Sequence, residues 1–539
     1  MRSELKWKTV LGLFLLLFLW GCGKPEDPNE GRSIFRYNES AGILSLDPIY
    51  AKDLPHIWAC NQLFNSLVAF DEQMNLVPMV AKSWEVSDDG LRYIFHLRDD
   101  VPFHRDPCFD TLRFVTAGDF VYSFNRVVDK SLNSPGMWIF SSVRQDGGQY
   151  AFEAVDDTTL RIELSKPFPP FMGILSMTYA SVVPHEAVEY YGDDFRRHPV
   201  GTGPFKFQYW KENVKLVFRK NPDYFERDEA GEKLPYLDAV SISFLIDKQV
   251  AFLEFIKGKF DFMSGIDARY KDELLTYDGQ LRQKHADKMT LITEPFLNTE
   301  YLSFFIDPQD SLGVERSRAL RQAVNYSIDR EKMLRYLRNG IGYPGTGGII
   351  PAGLPGHSAS IGYDYDLKKA QRLVADYGLE GHPLHLTTVA DYADIGKFVQ
   401  SQVEQAGLQC TMEVIPPATM RSLRSNGSLS FYRSSWVADY PDAENYLSLF
   451  ITSNFSPEGP NYTHYTNPKL DRLYDKALRC NDLQQRAAYY TEMDSLMMVD
   501  APVVVLFYDE VLRFVNKRVE GMGSNPTNLL DLRRVRISR

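Results

Sequence analysis

The stretch Tyr432–Leu447, YRSSWVADYPDAENYL, sets one acid, Asp439, directly after a β-prone run and among Trp436, Tyr440 and Tyr446. A carboxylate in that setting has two uses. It can cap the turn or helix that YPDAEN begins, because Asp favours both positions. It can also meet a cation that would cost several kcal/mol if buried unpaired. The stretch alone leaves both uses open. Asp442, just before AENYLSLF, is the better placed of the two acids for a local cap.

Catalysis needs a constellation, and the usual ones are missing. There is no G-x-x-x-x-G-K-[ST], G-x-S-x-G, H-E-x-x-H or EF-hand loop. The glycines of VGTGPF, Val200–Phe205, precede a strand-like run rather than a helix, so a tight turn explains them better than a phosphate cradle. The ten histidines, His185 and His198 among them, show no i, i+4 pairing that would suggest metal. Asp88–Asp89 and Asp156–Asp157 fall in hairpin turns, where Asp bonds its own backbone. Neither an enzyme nor a cofactor or metal is expected.

The chain has 539 residues, enough for two or three domains. Its net charge of −11 excludes a nucleic-acid partner, since phosphate binding needs a basic face. An aromatic share of 13% suits a large apolar cleft as well as a large core. The first residues, MRSELKWK, carry Arg2, Lys6 and Lys8 and lead into TVLGLFLLLFLW and GCGK. That apolar run is shorter than the roughly 20 residues a bilayer span requires, so residues 1–21 are expected to be an export signal. LWGC resembles a bacterial lipobox, which makes Cys22 the lipidated first mature residue and 22–32 a polar tether. The body is then extracytoplasmic and held to a bacterial membrane by lipid, on the periplasmic side or, alternatively, at the cell surface. Cys60, Cys108, Cys410 and Cys480 show no C-x-x-C spacing and allow three full disulfide pairings.

The remaining elements must position the acid. Leu54–Val68 has apolar residues at helical spacing. Hairpins are expected around Asp89–Gly90, at 152–165 and at 202–222. A helix follows Thr116, another ends at Gly258, and two run consecutively through 316–340. Helices ending at Gly378 and Gly407 alternate with LHLTTV and TMEVI, a β-α-β pattern with parallel strands. SLSFYRSSW, 428–436, is a strand that brings Asp439 to its end.

Nine motifs stand in a fixed order: SLDP at 45, LFNSLVAFDE at 63, PMVAKSWEVSDDGLRYIFHLRDDVPFH at 78, TAGDFVYSFNR at 116, VGTGPFKFQYW at 200, RKNPDYF at 219, RQAVNYSIDREKM at 321, WVADYPD at 436 and YTNPKLDRL at 465. The string resembles the family 5 extracytoplasmic solute-binding proteins, the oligopeptide and dipeptide receptors of ABC importers. The resemblance implies a mixed α/β, bilobal periplasmic-binding-protein-like fold of type II, cluster C. It divides the chain into an N-terminal lobe (33–63, 200–295 and 510–539), an inserted domain (64–199) and a C-terminal lobe (296–509). It implies a monomer that closes on short peptides and hands them to a permease and ATPase complex. Relatives of the same fold take metal chelates, haem, oligosaccharides or murein-derived peptides, so those ligands are the alternative.

The same resemblance assigns the site. Asp439 occupies the position that holds a peptide's α-ammonium, and Arg433 one that reaches a carboxylate. Trp436 and Tyr440 would wall side-chain pockets, with Ser435, Val437 and Ala438 offering backbone groups to an added strand. Lys52, Asp53 and Leu54 align with the segment that pairs with the ligand backbone from the other side. Trp138 and Tyr508 are further pocket candidates. Gly396 stands where one branch of the family carries a histidine for the ligand's carboxylate, with Lys397 beside it.

Overall fold

The computed structural model describes residues 31–267, 269–306 and 312–538. Cys22 and the expected signal lie outside that range. An eleven-stranded mixed sheet runs through the molecule. Its path is Phe205–Lys211, Lys215–Lys220, Ala239–Ser243, Ile34–Asn38, Phe262–Ser264, Val503–Asn516, Met289–Phe304, Phe431–Val437, Pro383–Thr388 and Gln409–Val414, with Tyr343–Pro344 added beside Val503–Asn516.

Two strands of that path are long, 16 and 14 residues, and they alone join its halves. Met289–Pro295 pairs with Glu510–Asn516, and Thr299–Ser303 pairs with Val503–Tyr508. Between these stretches the register shifts at Pro295/Thr299, because four steps on one strand face two on the other. A proline lacks the N–H that a ladder needs, so a break there follows from its chemistry. Phe262–Ser264 joins the ribbon on one side of the break, at Arg513–Val515, and Phe431–Val437 joins on the other, at Asn298–Phe304.

Between Leu63 and Val200 the chain builds a four-stranded sheet, ordered Ala81–Val86, Arg92–Leu97, Thr159–Glu163 and Phe152–Asp156. The Ala117–Val128 helix covers it, opened by a Thr116–Asp119 capping box. Its stripe packs Phe120, Phe124, Phe140 and Phe152 with ring centroids 4.7–5.7 Å apart. Burying each such ring is worth about 1.5–3 kcal/mol. Its last turn supplies Arg126, whose two terminal nitrogens grip Asp47 at 2.7 and 3.2 Å.

The helix expected over 54–68 stops at Leu63, and Phe64 is extended. The cause is tertiary. The Gly203 N–H donates to the Leu63 carbonyl at 2.8 Å, and a Cβ on Gly201 would lie 2.1 Å from that same oxygen. The VGTG glycines thus admit a close backbone approach at a helix end. The three expected hairpins form. The expected helices form at Lys248–Ile256, Gly313–Ser327, Arg330–Leu337, Leu367–Asp376 and Ala393–Gln405. Pro383–Thr388 and Gln409–Val414 are parallel as expected. None of Cys60, Cys108, Cys410 and Cys480 is in a disulfide. No described helix is long and apolar enough to cross a membrane.

Three buried ionisable groups bear on stability. Arg330, 2% exposed, pairs with no acid among the described residues; its guanidinium donates to the carbonyls of Val505, Asn325, Ile328 and Tyr363 at 2.6–3.2 Å. Arg330→Met would leave those oxygens short of a donor. Each buried orphan costs about 1–3 kcal/mol, so after relaxation the variant is expected to lose ~3–5 kcal/mol. A urea midpoint equal to that of the parent chain would refute this.

Glu444, 3% exposed, accepts from the hydroxyls of Tyr440 and Tyr474. Burial lifts its carboxyl from 4.5 to about 7 against the pull of those two hydroxyls. Asp494, bonded to the Ile349 and Ile350 amides, is also lifted by burial to about 7. The folded state therefore holds protons that the unfolded chain has lost, and stability falls as pH rises from about 4.5 through about 7. Glu444→Gln cannot ionise. It should remove about half of that decline, worth at most a few kcal/mol, in thermal melts run from pH 5 to 8. An unchanged slope would show that Glu444 does not carry it.

Candidate functional site

The Phe431–Val437 strand pairs along its whole length with Met289–Phe304, from Asn298↔Val437 to Phe304↔Phe431. Its other neighbour, Pro383–Thr388, reaches only Phe431 and Tyr432. Arg433–Val437 therefore has one open edge, free to accept an extended chain. Inward positions are Tyr432 and Ser434, both buried, with Ser434 bonded to Ser303. Ser435 is half-buried and Val437 is 46% exposed. The Ala438 N–H donates to the Leu297 carbonyl at 2.8 Å, which anchors the strand's end.

Asp439 follows. Asn445 organises it: the Asn445 Oδ1 accepts the Asp439 amide at 3.1 Å and the Trp436 indole N–H at 2.7 Å. Asp439 is exposed by area, yet burial by surrounding protein holds its carboxyl above the ordinary range, only partly offset by Asn445. The two observations describe one geometry, a side chain open to a cleft and walled on most sides. No cation among the described residues pairs with it. The local cap is Asp442, which accepts the Glu444 amide at 2.9 Å and faces Arg486 at 3.3 Å.

Across the cleft, Trp138 stands 6.2 Å from Tyr440, ring to ring, and is 38% exposed. Tyr440 is buried in the cluster formed by the N-terminal and inserted segments. Tyr179 lies under the same wall. Its hydroxyl is pushed up to about 12, first by burial and then by the charges of Asp439 and Asp53. That brings the 52–54 segment and Asp439 to one region.

Four expected site residues make contacts within the protein itself. Arg433 does reach a carboxylate, but it is Glu300 on the neighbouring strand, at 2.6 Å, with the guanidinium 3.7 Å over the Tyr392 ring. The register sets Arg433 diagonal to Glu300, so the pair is built into the sheet. Of the 52–54 segment, the Lys52 N–H is used by the Tyr50 carbonyl, Leu54 begins a helix, and Asp53 caps that helix through the His56 amide. Asp53 keeps the extended backbone that strand pairing needs. Tyr508 is 4% exposed in the C-terminal core and donates to the Gly348 carbonyl at 2.6 Å, so it walls no pocket.

The structure adds residues that the pattern did not reveal. Glu300, 3% exposed, collects Arg433, Tyr392 and Asn298, and burial raises its carboxyl while Arg433 draws it back. An acid inside the apolar run FLNTEYLSF was a visible signal for it. Arg433 Nε and Asn298 Oδ1 remain buried without a protein partner. Asn445 carried no signal beyond its six-residue distance from Asp439. Elsewhere, Asp119, His185 and Glu186 have ligand-type atoms within 4.8 Å of one another, but the Arg113 guanidinium already bonds both carboxylates, at 2.7 and 2.9 Å. That cation makes the trio an ion-pair network rather than a metal cradle.

With this geometry in hand, the comparisons with known proteins converge. The family described as bacterial extracellular solute-binding proteins, family 5 Middle, matches residues 75–457. The chain is 25% identical over 501 residues to the dipeptide-binding protein of Escherichia coli K12, across 86% of this chain and 87% of that one. It is 26% identical over 529 residues to heme-binding protein A of Haemophilus influenzae, across 93% and 92%. The solved structure of HbpA2 from Haemophilus parasuis superposes with a TM-score of 0.82 at 23% identity, over 94% of this chain and 100% of that one. The fold is the two-lobed one expected. The chain belongs to family 5 of the bacterial extracellular solute-binding proteins.

Proposed function

We propose that this chain captures short peptides with a free α-amino group and delivers them to the permease of an ABC importer, without covalent chemistry. The observation that carries this reading is the Asp439 carboxylate. It stands desolvated and without a cation at the end of an open strand edge. A peptide laid along Arg433–Val437 would gain main-chain hydrogen bonds irrespective of its side chains, and its ammonium would meet Asp439. Trp436 and Tyr440 would wall the neighbouring side chain, with Trp138 opposite. Closure would bring together lobes 33–63, 200–295 and 510–539 on one side and 296–509 on the other, with 64–199 inserted, pivoting at the register break near Pro295. Lipid on Cys22 would hold the receptor, a monomer, at the membrane.

Haem is the second reading, favoured by the likeness to heme-binding protein A. It offers Asp439 no ammonium, and absorbance of the purified protein separates the two.

Asp439→Asn is the direct test. Truncating one partner of an enclosed charge pair costs about 2–5 kcal/mol, so affinity for free-amine tri- to pentapeptides should fall roughly 30-fold or more. N-acetylated peptides should bind both proteins equally weakly. Because Asp439 is held above its ordinary range in the fold, its ionisation opposes folding as pH rises, and the Asn variant should melt no lower than the parent at pH 7 and above. Parental affinity should weaken as pH falls and the carboxyl protonates. Calorimetry that finds acetylated and free peptides equally tight would remove Asp439 from this role.

A further inference from the structure

Away from the cleft, a crevice of about 190 Å³ opens where His104–Pro107 and His198–Val200 meet the Phe205–Lys211/Lys215–Lys220 hairpin. The volume is below that of peptide-sized pockets, about 300 Å³ upward, and suits a small ion with a few waters. Its wall contains an arrangement that a sheet ordinarily avoids. Lys206 and Arg219 are directly opposite each other on adjacent antiparallel strands, and both line the crevice. Like charges in that relation are destabilising. Neither side chain makes a hydrogen bond or ion pair with any described residue.

The other charged groups do not cancel them. Arg105 adds a third cation, oriented by Asp223 through Nε and Nη2 at 2.8 and 3.3 Å. Asp106 is engaged by the Tyr191 hydroxyl at 2.9 and 3.1 Å and by the Cys108 amide at 3.1 Å. His104 spends both ring nitrogens on the backbone of Gly201 and Gly203, and burial lowers it to about 4, so it stays neutral. Three cations thus face two acids that already have donors. Burial first, and then Arg219 and Arg105, hold the Lys206 ammonium below its ordinary range. Phe207 and His198, both in the lining, meet edge to face at 5.6 Å.

We propose that this crevice binds a phosphate-like oxyanion between Lys206 and Arg219, either as a free ion or as the phosphate of a lipid headgroup. A tetrahedral anion supplies the acceptors both cations lack. The guanidinium would bind it through two nitrogens and the ammonium as a point charge. The fold's unfavourable opposition of charges then becomes a binding interaction.

The test uses the full chain in phosphate-free buffer, titrated with sodium phosphate against sodium chloride at matched ionic strength. Expected is a saturable rise in Tm and a calorimetric Kd with phosphate alone. Lys206→Gln and Arg219→Gln should each weaken that Kd at least about tenfold. Without phosphate, each variant should melt at or above the parent temperature, since the opposed charges are gone, so misfolding cannot imitate loss of the site. Flotation with phosphatidylglycerol vesicles, against phosphatidylcholine vesicles, assigns the source: capture lost in both variants identifies a lipid phosphate. The proposal is overturned if phosphate acts no differently from chloride and vesicle capture is absent or indifferent to both substitutions. It is equally overturned if the phosphate effect survives in both variants. Peptide affinity is not involved in either arm, so the two proposals fail separately.

Discussion

The molecule depends on one antiparallel ribbon, Met289–Phe304 against Val503–Asn516. Phe262–Ser264 and the strands beyond it are fastened on one side of the register break. Phe431–Val437 and its neighbours are fastened on the other. A cleft wall can therefore be rigid within each half while the break at Pro295/Thr299 leaves the angle between halves to the ribbon alone. Tertiary contacts that bypass the ribbon include Tyr440, seated in the opposite half's cluster against Trp138. They lie beside Asp439, so whatever occupies the cleft there competes with, or completes, the packing that holds the halves together.

The fold manages its desolvated charges by four different means, which makes the exception informative. Asp47 and Arg126 neutralise each other in a fork geometry. Arg330 is solvated by backbone carbonyls. Glu444 is held by two phenols and kept near neutrality by burial. Glu300 shares Arg433, Tyr392 and Asn298. Asp439 has an amide neighbour and no cation partner among the described residues; unlike the others its side chain is exposed by area, while the surrounding protein still raises its carboxyl. A lone enclosed carboxylate is costly unless something outside the chain relieves it. Lys206, half-buried opposite the exposed Arg219, is the cationic counterpart.

Local elements were legible because their signals are local. Thr116 with Asp119 three residues on, the Asp89–Gly90 turn and the glycine-ended helices follow from capping, turn chemistry and periodicity. The failures share a cause. The helical pattern of 54–68 was cut at Leu63 by a backbone arriving from Gly201–Gly203, well over a hundred positions later. Arg433 was assigned by resemblance to reach a ligand's carboxylate, and its partner within the fold, Glu300, is set by cross-strand register that the sequence does not display. Tyr508 falls at an inward position of a strand whose paired face cannot be read from VVVLFYDE, since every residue there is apolar or aromatic until the acids begin. Lys52–Leu54 contained the transition from coil to helix, which the Asp53 cap and the following proline indicate once the helix is known.

What made the family recognisable is also what makes the ligand hard to read. Asn65 and Thr202 bond each other, while His104 and Asn221 both donate to the Gly203 carbonyl, so four of the ordered motifs form one buried knot. Asp47–Arg126 ties two more, and Asn325 with Arg330 closes a turn within another. These bonds fasten the fold of this chain and lie away from Asp439. Glu300, Tyr392, Asn445 and Tyr179, which surround Asp439 and Arg433, lie outside every one of those motifs. The chain is similar over most of its length to both a dipeptide-binding and a heme-binding protein, so overall likeness does not choose its ligand. Ligand chemistry has to be argued from the groups that the fold leaves unpaired, and in this cleft that group is a carboxylate.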